Sequence, residues 1–350
     1  MQELSKYLEL LKSLIKTPSF SKEEGETANI LASYLKSMGI EPSRQANNVW
    51  AVNQYFDPNK PSILLNSHHD TVKPNAGYTK DPFSPEIADG KLYGLGSNDA
   101  GGALIALLAT FLHFYPKKDL KYNLIWAGTA EEEISGKNGI ELIYPKFENV
   151  EFAIIGEPTM MQMAIAEKGL MVLDCIAKGK SGHAAREEGI NAIYAAMPDI
   201  EWFRTYSFPD ISDYLGPVKM SVTVIEAGKQ HNVVPDECRF TVDIRTTDKY
   251  SNEAALEIIR SFVKAEVTPR SVRLKPSFID PSHPIVKAGL AMNRNTYGSP
   301  TTSDQALLNI PSLKMGPGDS ARSHTADEFI FVDEFYEGIN LYISILDKVL

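Results

Sequence analysis

The sequence predicts an α/β fold: a domain with a central mixed sheet flanked by helices, interrupted by an inserted ferredoxin-like (βαββαβ) domain. Three observations predict it. Strand-type and helix-type runs alternate between about residues 49 and 155, as they do when helices cover both faces of a sheet. Near residue 165 the order becomes β-α-β-β-α-β, that of a ferredoxin-like unit. After Asp280 the α/β pattern returns. The expected organisation is a discontinuous first domain, 1–164 and 280–350, with an insert over 165–279.

The elements follow in order. Leu4, Tyr7, Leu8, Leu11, Leu14 and Ile15 recur at helical spacing, and Pro18 ends that helix. Ser21 and Glu24 read as a capping box for a second helix that runs to Gly39. Strands are expected at Val49–Asn53, Ser62–Asn66, Tyr122–Ala127 and Phe152–Ile155, and helices at Ala100–Tyr115 and Lys137–Phe147. The first of these helices is apolar enough to be buried all round. In the insert, strands are expected at Leu170–Ala177, Val218–Glu226, Cys238–Thr246 and Val272–Pro276, with helices at Ile190–Tyr206 and Asn252–Ala265. Helix Ile285–Tyr297, a strand near Ser312–Met315 and helix Asp333–Leu350 complete the first domain.

Composition bounds the function. With 350 residues, 43% hydrophobic and 23% charged, the chain has the makeup of a soluble globular protein. A net charge of −10 without a basic block argues against nucleic acid as a partner. No apolar run reaches the length that spans a bilayer, and Met1-Gln2-Glu3-Leu4 lacks a signal pattern. Cys175 and Cys238 show no CxxC spacing. They fall on neighbouring strands of the insert, where a disulfide is geometrically conceivable, but reduced thiols in a cytoplasmic protein are the expectation.

Histidines and carboxylates collect at strand ends. His68 and Asp70 follow Ile63-Leu64-Leu65; Asp99 sits in Tyr93-Gly94-Leu95-Gly96-Ser97-Asn98-Asp99, just before a helix. Glu131-Glu132-Glu133 follows the Tyr122–Ala127 run, Glu157 follows Phe152–Ile155, and His324 lies in Gly316-Pro317-Gly318-Asp319-Ser320-Ala321-Arg322-Ser323-His324. In open α/β sheets the carboxyl ends of strands share one rim. Two histidines and three carboxylates there, without cysteine, suit two zinc ions in a hydrolytic site. Two such ions need a bridging carboxylate, and Asp99, flanked by glycines, is the best placed. Gly94-x-Gly96 is not a dinucleotide fingerprint, because its third glycine would fall on Asp99, whose charge repels a pyrophosphate.

In their order and spacing these five motifs resemble the zinc-dependent aminoacylase and carboxypeptidase family of two-metal hydrolases, over essentially the whole chain. The resemblance implies that His68, Asp99 and Glu157 hold one zinc and that Asp99, Glu133 and His324 hold the other, with cobalt or manganese as substitutes. It implies Glu132 as general base, Asp70 as the group that orients His68, and a cis Asp99–Ala100 peptide. The insert resembles the family's dimerisation domain. There His183, in Gly182-His183-Ala184, matches a residue that reaches the partner subunit's site to stabilise an oxyanion. Asn232 and Arg245 match residues that hold a substrate carboxylate, and Thr302 and Ser303 match a weaker substrate-contact motif. Within the family the chain is most similar to enzymes that remove acetyl or succinyl from the α-nitrogen of ornithine in arginine synthesis. Succinyl-diaminopimelate desuccinylases and acetyl-lysine deacetylases are near neighbours. Many members carry Met-Lys-Gly after the bridging Asp, where this chain has Ala100-Gly101-Gly102.

Blander readings stand beside these. Glu131-Glu132-Glu133 is also a plausible solvated charge run, and a one-residue shift would exchange base and ligand; Glu132 with Glu133 is favoured over Glu131 with Glu132. His69 points to the opposite side of the extended segment from His68 and is expected to be structural. Arg245 could equally pair with Asp243 or a surface carboxylate instead of a substrate. A dipeptidase or carboxypeptidase with the same centre is the rival activity. A non-catalytic binding protein on this scaffold predicts a missing ligand or base, and all are present.

Overall fold

The computed structural model describes residues 4–186 and 188–350; the opening of the N-terminal stretch read above, residues 1–3, lies outside them. The chain separates into two compact units. One runs through Ile165 and includes Phe278–Tyr297 and Ser303–Leu350; the other comprises Ala166–Ser277 and Gly298–Thr302. Among the described residues no helix is long and apolar enough to cross a membrane.

In the first unit, strands Asn123–Thr129, Ser62–His68, Val150–Gly156 and Ser312–Met315 lie side by side and parallel. Asn48–Val52 pairs antiparallel with Asn123–Thr129, so the sheet is mixed. Every residue of Ser62–His68 and Asn123–Thr129 is buried, as in strands covered on both faces. The period-two alternation assigns the layers. Ile63, Leu65, Leu124, Trp126, Phe152 and Ile154 enter the larger core, whereas Leu64, Ile125, Ala127, Ala153 and Ile155 enter a smaller one on the other face. Helix Gly102–Phe114 is buried along almost its whole length and packs against helix Val332–Leu346. Because the four central strands are parallel, their carboxyl ends lie on one rim.

The second unit is a four-stranded antiparallel sheet in the order Lys219–Ala227, Glu237–Arg245, Met171–Lys178, Glu266–Pro269. Helices Ala192–Thr205 and Asn252–Phe262 cover one face through Ala196, Phe203, Ala255 and Ile259, against Leu173, Cys175, Phe240 and Val242. Cys175 and Cys238 are free and buried in this core. Cys175 stands opposite Phe240 and Cys238 opposite Ala177, so the two thiols are diagonal neighbours rather than a facing pair. Burial pushes the Cys175 thiol up to about 12, which leaves it unreactive.

Several elements differ from the sequence reading. The fourth strand of the insert is Glu266–Pro269, not 272–276; the Val272-Arg273-Leu274 segment makes an isolated bridge, Leu170 to Leu274. Lys137–Phe147 forms just a short helix, Ile140–Ile143, followed by a 3-10 turn at Tyr144–Lys146, where Pro145 cannot extend an α-helix. The helix expected at 285–297 is Pro284–Ala291, and Thr296–Ser299 is a strand. The capping box does not form: Glu24 makes no side-chain cap on helix Gly25–Ser37, and Ser21 donates elsewhere.

Candidate metal centre

The rim of the parallel sheet carries the predicted residues of the first unit. His68 is the last residue of its strand and is buried. Its Nδ1 lies 3.0 Å from the Asp70 carbonyl oxygen. A carbonyl can only accept, so Nδ1 carries a proton, and Nε2 is the nitrogen turned towards the carboxylates. That Nε2 is buried without a hydrogen-bond partner. It faces Asp99 Oδ1 at 3.4 Å, Glu157 Oε1 at 3.7 Å and Glu132 Oε2 at 3.9 Å.

Asp99 presents its oxygens to two histidines, Oδ1 to His68 and Oδ2 to His324 at 3.6 Å. His324 Nε2 is also 2.9 Å from Glu133 Oε2. Two sets of donor atoms, one from His68, Asp99 and Glu133 and one from His68, Glu132 and Glu157, each lie within 4.8 Å of one another. The structure thus brings His68, Asp99, Glu132, Glu133, Glu157 and His324 together in one pocket. A buried, unpartnered imidazole nitrogen aimed into converging carboxylates fits divalent cations.

The electrostatics follow from crowding acids. Burial pushes Glu157 up to about 8, with repulsion from Asp99 adding to it against the pull of His68. Glu132 is held well above the usual carboxylate range by burial, and then by Glu157, Asp304 and Glu133. The Glu133 carboxylate beside it pushes His324 up to about 9. A cluster in which acids raise one another calls for cationic charge.

Around this pocket a shell of buried groups fixes the rim. Asp70 accepts from Ser21 Oγ (2.7 Å), from Glu132 N (3.1 Å) and from Glu133 N (3.2 Å), while its Oδ1 lies 3.4 Å from His68 Nδ1. It therefore braces the Glu132-Glu133 turn as well as His68. Glu131 adopts positive φ and is buried. Its N–H donates to Glu24 Oε1, and its carboxylate accepts from Asn138, so the first glutamate of the triplet is structural. Glu328 accepts from the N–H groups of Asn98 and Asp99, both at 2.9 Å. Asp304 accepts from Asn66 Nδ2 and Thr129 Oγ1 at 2.8 and 2.9 Å, tying together the two strands that end in the site. The Asp99–Ala100 peptide is cis. Gly96 supplies φ +77°, and a β-carbon at Gly101 would strike the Gly96 carbonyl oxygen. His69 is a packing residue. Its Nε2 donates to the Asn47 carbonyl at 2.9 Å, Thr27 Oγ1 lies 2.8 Å from Nδ1, and burial lowers it to about 4.

Sequence reasoning missed Glu328, Asp304, Ser21 and Glu24. Asp304 adjoins the Thr302-Ser303 motif and Glu328 follows His324 by four residues, but nothing in spacing separates a carboxylate that braces a loop from one in solvent. Ser303 is buried and caps the Asp304–Leu307 turn by accepting from Gln305 N.

The remaining predicted residues belong to the second unit. His183 and Val233 face each other in a two-stranded ribbon, and Ala184 N donates to the Asn232 carbonyl at 3.0 Å, so two motifs separated by 49 positions share one ribbon. Arg245 makes a fork to Asp243 at 2.8 and 3.1 Å through Nε and Nη2, the pairing weighed above. Thr302 Oγ1 approaches the Lys168 carbonyl at 3.5 Å.

A parallel-sheet rim that gathers two histidines and four carboxylates is the site of a metallohydrolase. The chain belongs to peptidase family M20/M25/M40, whose sequence profile matches residues 64–348, and it is a hydrolytic enzyme. It is 26% identical over 359 residues to an acetylornithine deacetylase of Proteus mirabilis, covering 94% of this chain and 92% of that one. It is 25% identical over 382 residues to a succinyl-diaminopimelate desuccinylase of Hahella chejuensis, covering 99% and 98%. The fold matches that of the Bacillus subtilis YXEP protein, a dinuclear metal-binding peptidase of the M20 family, with a TM-score of 0.76 at 18% identity over 99% of this chain and 97% of the other.

Proposed function

We propose that the protein is a two-metal deacylase that removes an acetyl or succinyl group from the α-nitrogen of ornithine, serving arginine synthesis. The observation that carries the two-metal reading is Asp99, whose two oxygens face different histidines as a bridging carboxylate must. In this reading His68, Asp99 and Glu157 hold one cation, zinc by preference, and Asp99, Glu133 and His324 hold the second. Bound there, the cations supply Lewis acidity towards the scissile carbonyl and the attacking water. Glu132 takes the water's proton as its oxygen adds to the acyl carbon. When the C–N bond breaks, Glu132 delivers that proton to the leaving amine. Burial, which raises the basicity of Glu132, favours that task. The amide relatives just described, one acetyl and one succinyl, support an N-acyl amino acid as substrate.

Asn232, Arg245, Thr302 and Ser303 are proposed to hold the substrate, with Arg245 on its carboxylate through the Nη1 edge that Asp243 leaves open. The experiment is a screen of zinc- and cobalt-loaded enzyme against N-acetyl- and N-succinyl-ornithine, -lysine and -diaminopimelate, with dipeptides alongside. Highest kcat/KM on an N-acyl-ornithine is expected; hydrolysis of dipeptides alone would replace this reading with a dipeptidase.

The second unit is proposed to form a homodimer. Lys219–Ala227 is an edge strand with Val224 and Ile225 exposed. The neighbouring helix exposes Tyr194 and Met197, and a long apolar edge of this kind is ordinarily covered by another chain. His183 then serves the partner's site by donating to the developing oxyanion. Mixing inactive Glu132→Ala protein with inactive His183→Ala protein should restore part of the activity, because each heterodimer holds one complete site. Proven subunit exchange without recovery would refute the shared site.

A further inference from the structure

The open face of the second unit's sheet carries a groove of about 670 Å³ that includes Lys168, Lys219, Arg245, Arg270, Ser221 and Asp243 in its lining. Its charge is unbalanced. The Asp243 carboxylate is already forked by Arg245, and Arg270 is forked to Asp174 at 2.9 Å through both Nε and Nη2. Those two pairs cancel. Lys168 and Lys219 remain, and among the described residues neither has an acidic partner; Lys168 Nζ reaches only the Pro217 carbonyl at 3.4 Å. The groove is therefore net positive in a chain of net charge −10.

The ladder sharpens the point. Lys219 stands directly opposite Arg245 in the antiparallel pairing, with Ser221 opposite Asp243 in the next position on the same face. Like charges directly opposed across strands cost stability, and nothing in the sheet's packing requires a cation at Lys219. Lys168 feels the same crowding: burial, then the charges of Lys219 and Arg245, pull its ammonium below the usual lysine range. An arrangement that repels itself when empty and supplies ammonium, guanidinium and hydroxyl donors in one groove is relieved by an anion.

We propose that this groove binds a small molecule carrying two carboxylates, with Arg245 taking one and Lys168 with Lys219 the other. Identifying the first carboxylate with that of an N-acyl amino acid rests on the function proposed above; the groove's affinity for a dicarboxylate does not. The second carboxylate has two sources, the acyl tail of a succinyl-type substrate or a free dicarboxylate.

Calorimetry on the full-length, metal-loaded enzyme should show succinate binding at least about tenfold more tightly than acetate, with that preference abolished in Lys219→Met and in Lys168→Met/Lys219→Met and kept in Lys219→Arg. Both lysines are on the surface of the groove, so these variants are expected to fold. In the kinetic arm, Lys219→Met should raise the KM ratio of N-succinyl- to N-acetyl-ornithine about tenfold if the acyl tail is the ligand. If the ligand is a free dicarboxylate, succinate binding is lost while the ratio stays constant. Succinate binding no tighter than acetate in the wild-type enzyme, or a succinate preference that persists at its wild-type size in the double variant, overturns the proposal. An enzyme inactive on every acyl-ornithine but binding succinate through Lys219 overturns the substrate reading alone.

Discussion

Glu132→Ala should keep two metal ions per chain and lose turnover by about 10²- to 10⁴-fold, the range of a general acid–base residue. Glu133→Ala should instead lose metal. Elemental analysis of the purified variants, together with kcat on the best substrate, separates the two. Both residues lie close to the centre, so metal content and turnover have to be read together. Glu133 meets His324 at 2.9 Å, whereas Glu132 lies 3.9 Å from His68 Nε2 and groups with His68 and Glu157. If Glu132→Ala loses metal while Glu133→Ala retains it, the two roles are exchanged.

The second large effect is expected at Asp70. Its carboxylate is fully buried and ties together His68, Ser21 and the N–H groups of Glu132 and Glu133. Burial alone would push this acid up; hydrogen bonding and attraction from His68, with the Ser21 hydroxyl, hold it below the usual carboxylate range. Asp70→Ala leaves two backbone donors without their acceptor and frees the His68 ring. Metal affinity should fall about 10- to 100-fold, and the metal-free protein should lose on the order of 1–3 kcal/mol per stranded buried group. Metal titration and urea unfolding measure the two effects. Ser21→Ala, which removes only one donor to Asp70, should show a smaller loss of affinity. Wild-type metal affinity in Asp70→Ala would remove its positioning role.

How much of this was legible beforehand differs by element. The apolar runs within 62–66, 122–127 and 152–155 are visible as strands because a parallel strand buried on both faces is largely hydrophobic. The helix over 102–114 is visible for the same reason. Positions decided by competition between distant groups were not legible. Ser21 looked like a helix cap because Ser-x-x-Glu is a local pattern, but its hydroxyl is used 49 positions away, on Asp70. Glu24 likewise serves Lys22 N, Asn47 and Glu131 N rather than the helix start. The misplaced fourth strand of the insert follows the same logic. Two short segments, Glu266–Pro269 and 272–276, each mix one or two apolar residues with polar ones, and pairing against Met171–Lys178 chose the first.

By itself the sequence determined which chemistry the protein could hold: histidines and carboxylates immediately after strand-forming runs, without cysteine ligands or a basic surface. It determined the change of architecture near residue 165, because hydrophobic period is a property of the local chain. Only the tertiary structure decided that Asp99 turns its two oxygens to different histidines, that Glu131 is a structural member of its triplet, and that Glu328 and Asp304 brace the site from behind. It also decided that Lys219 stands against Arg245. These facts depend on which side chains meet across elements far apart in sequence. That meeting is set by strand register and by the need of every buried polar group for a partner, and neither is written in the spacing of residues along one strand.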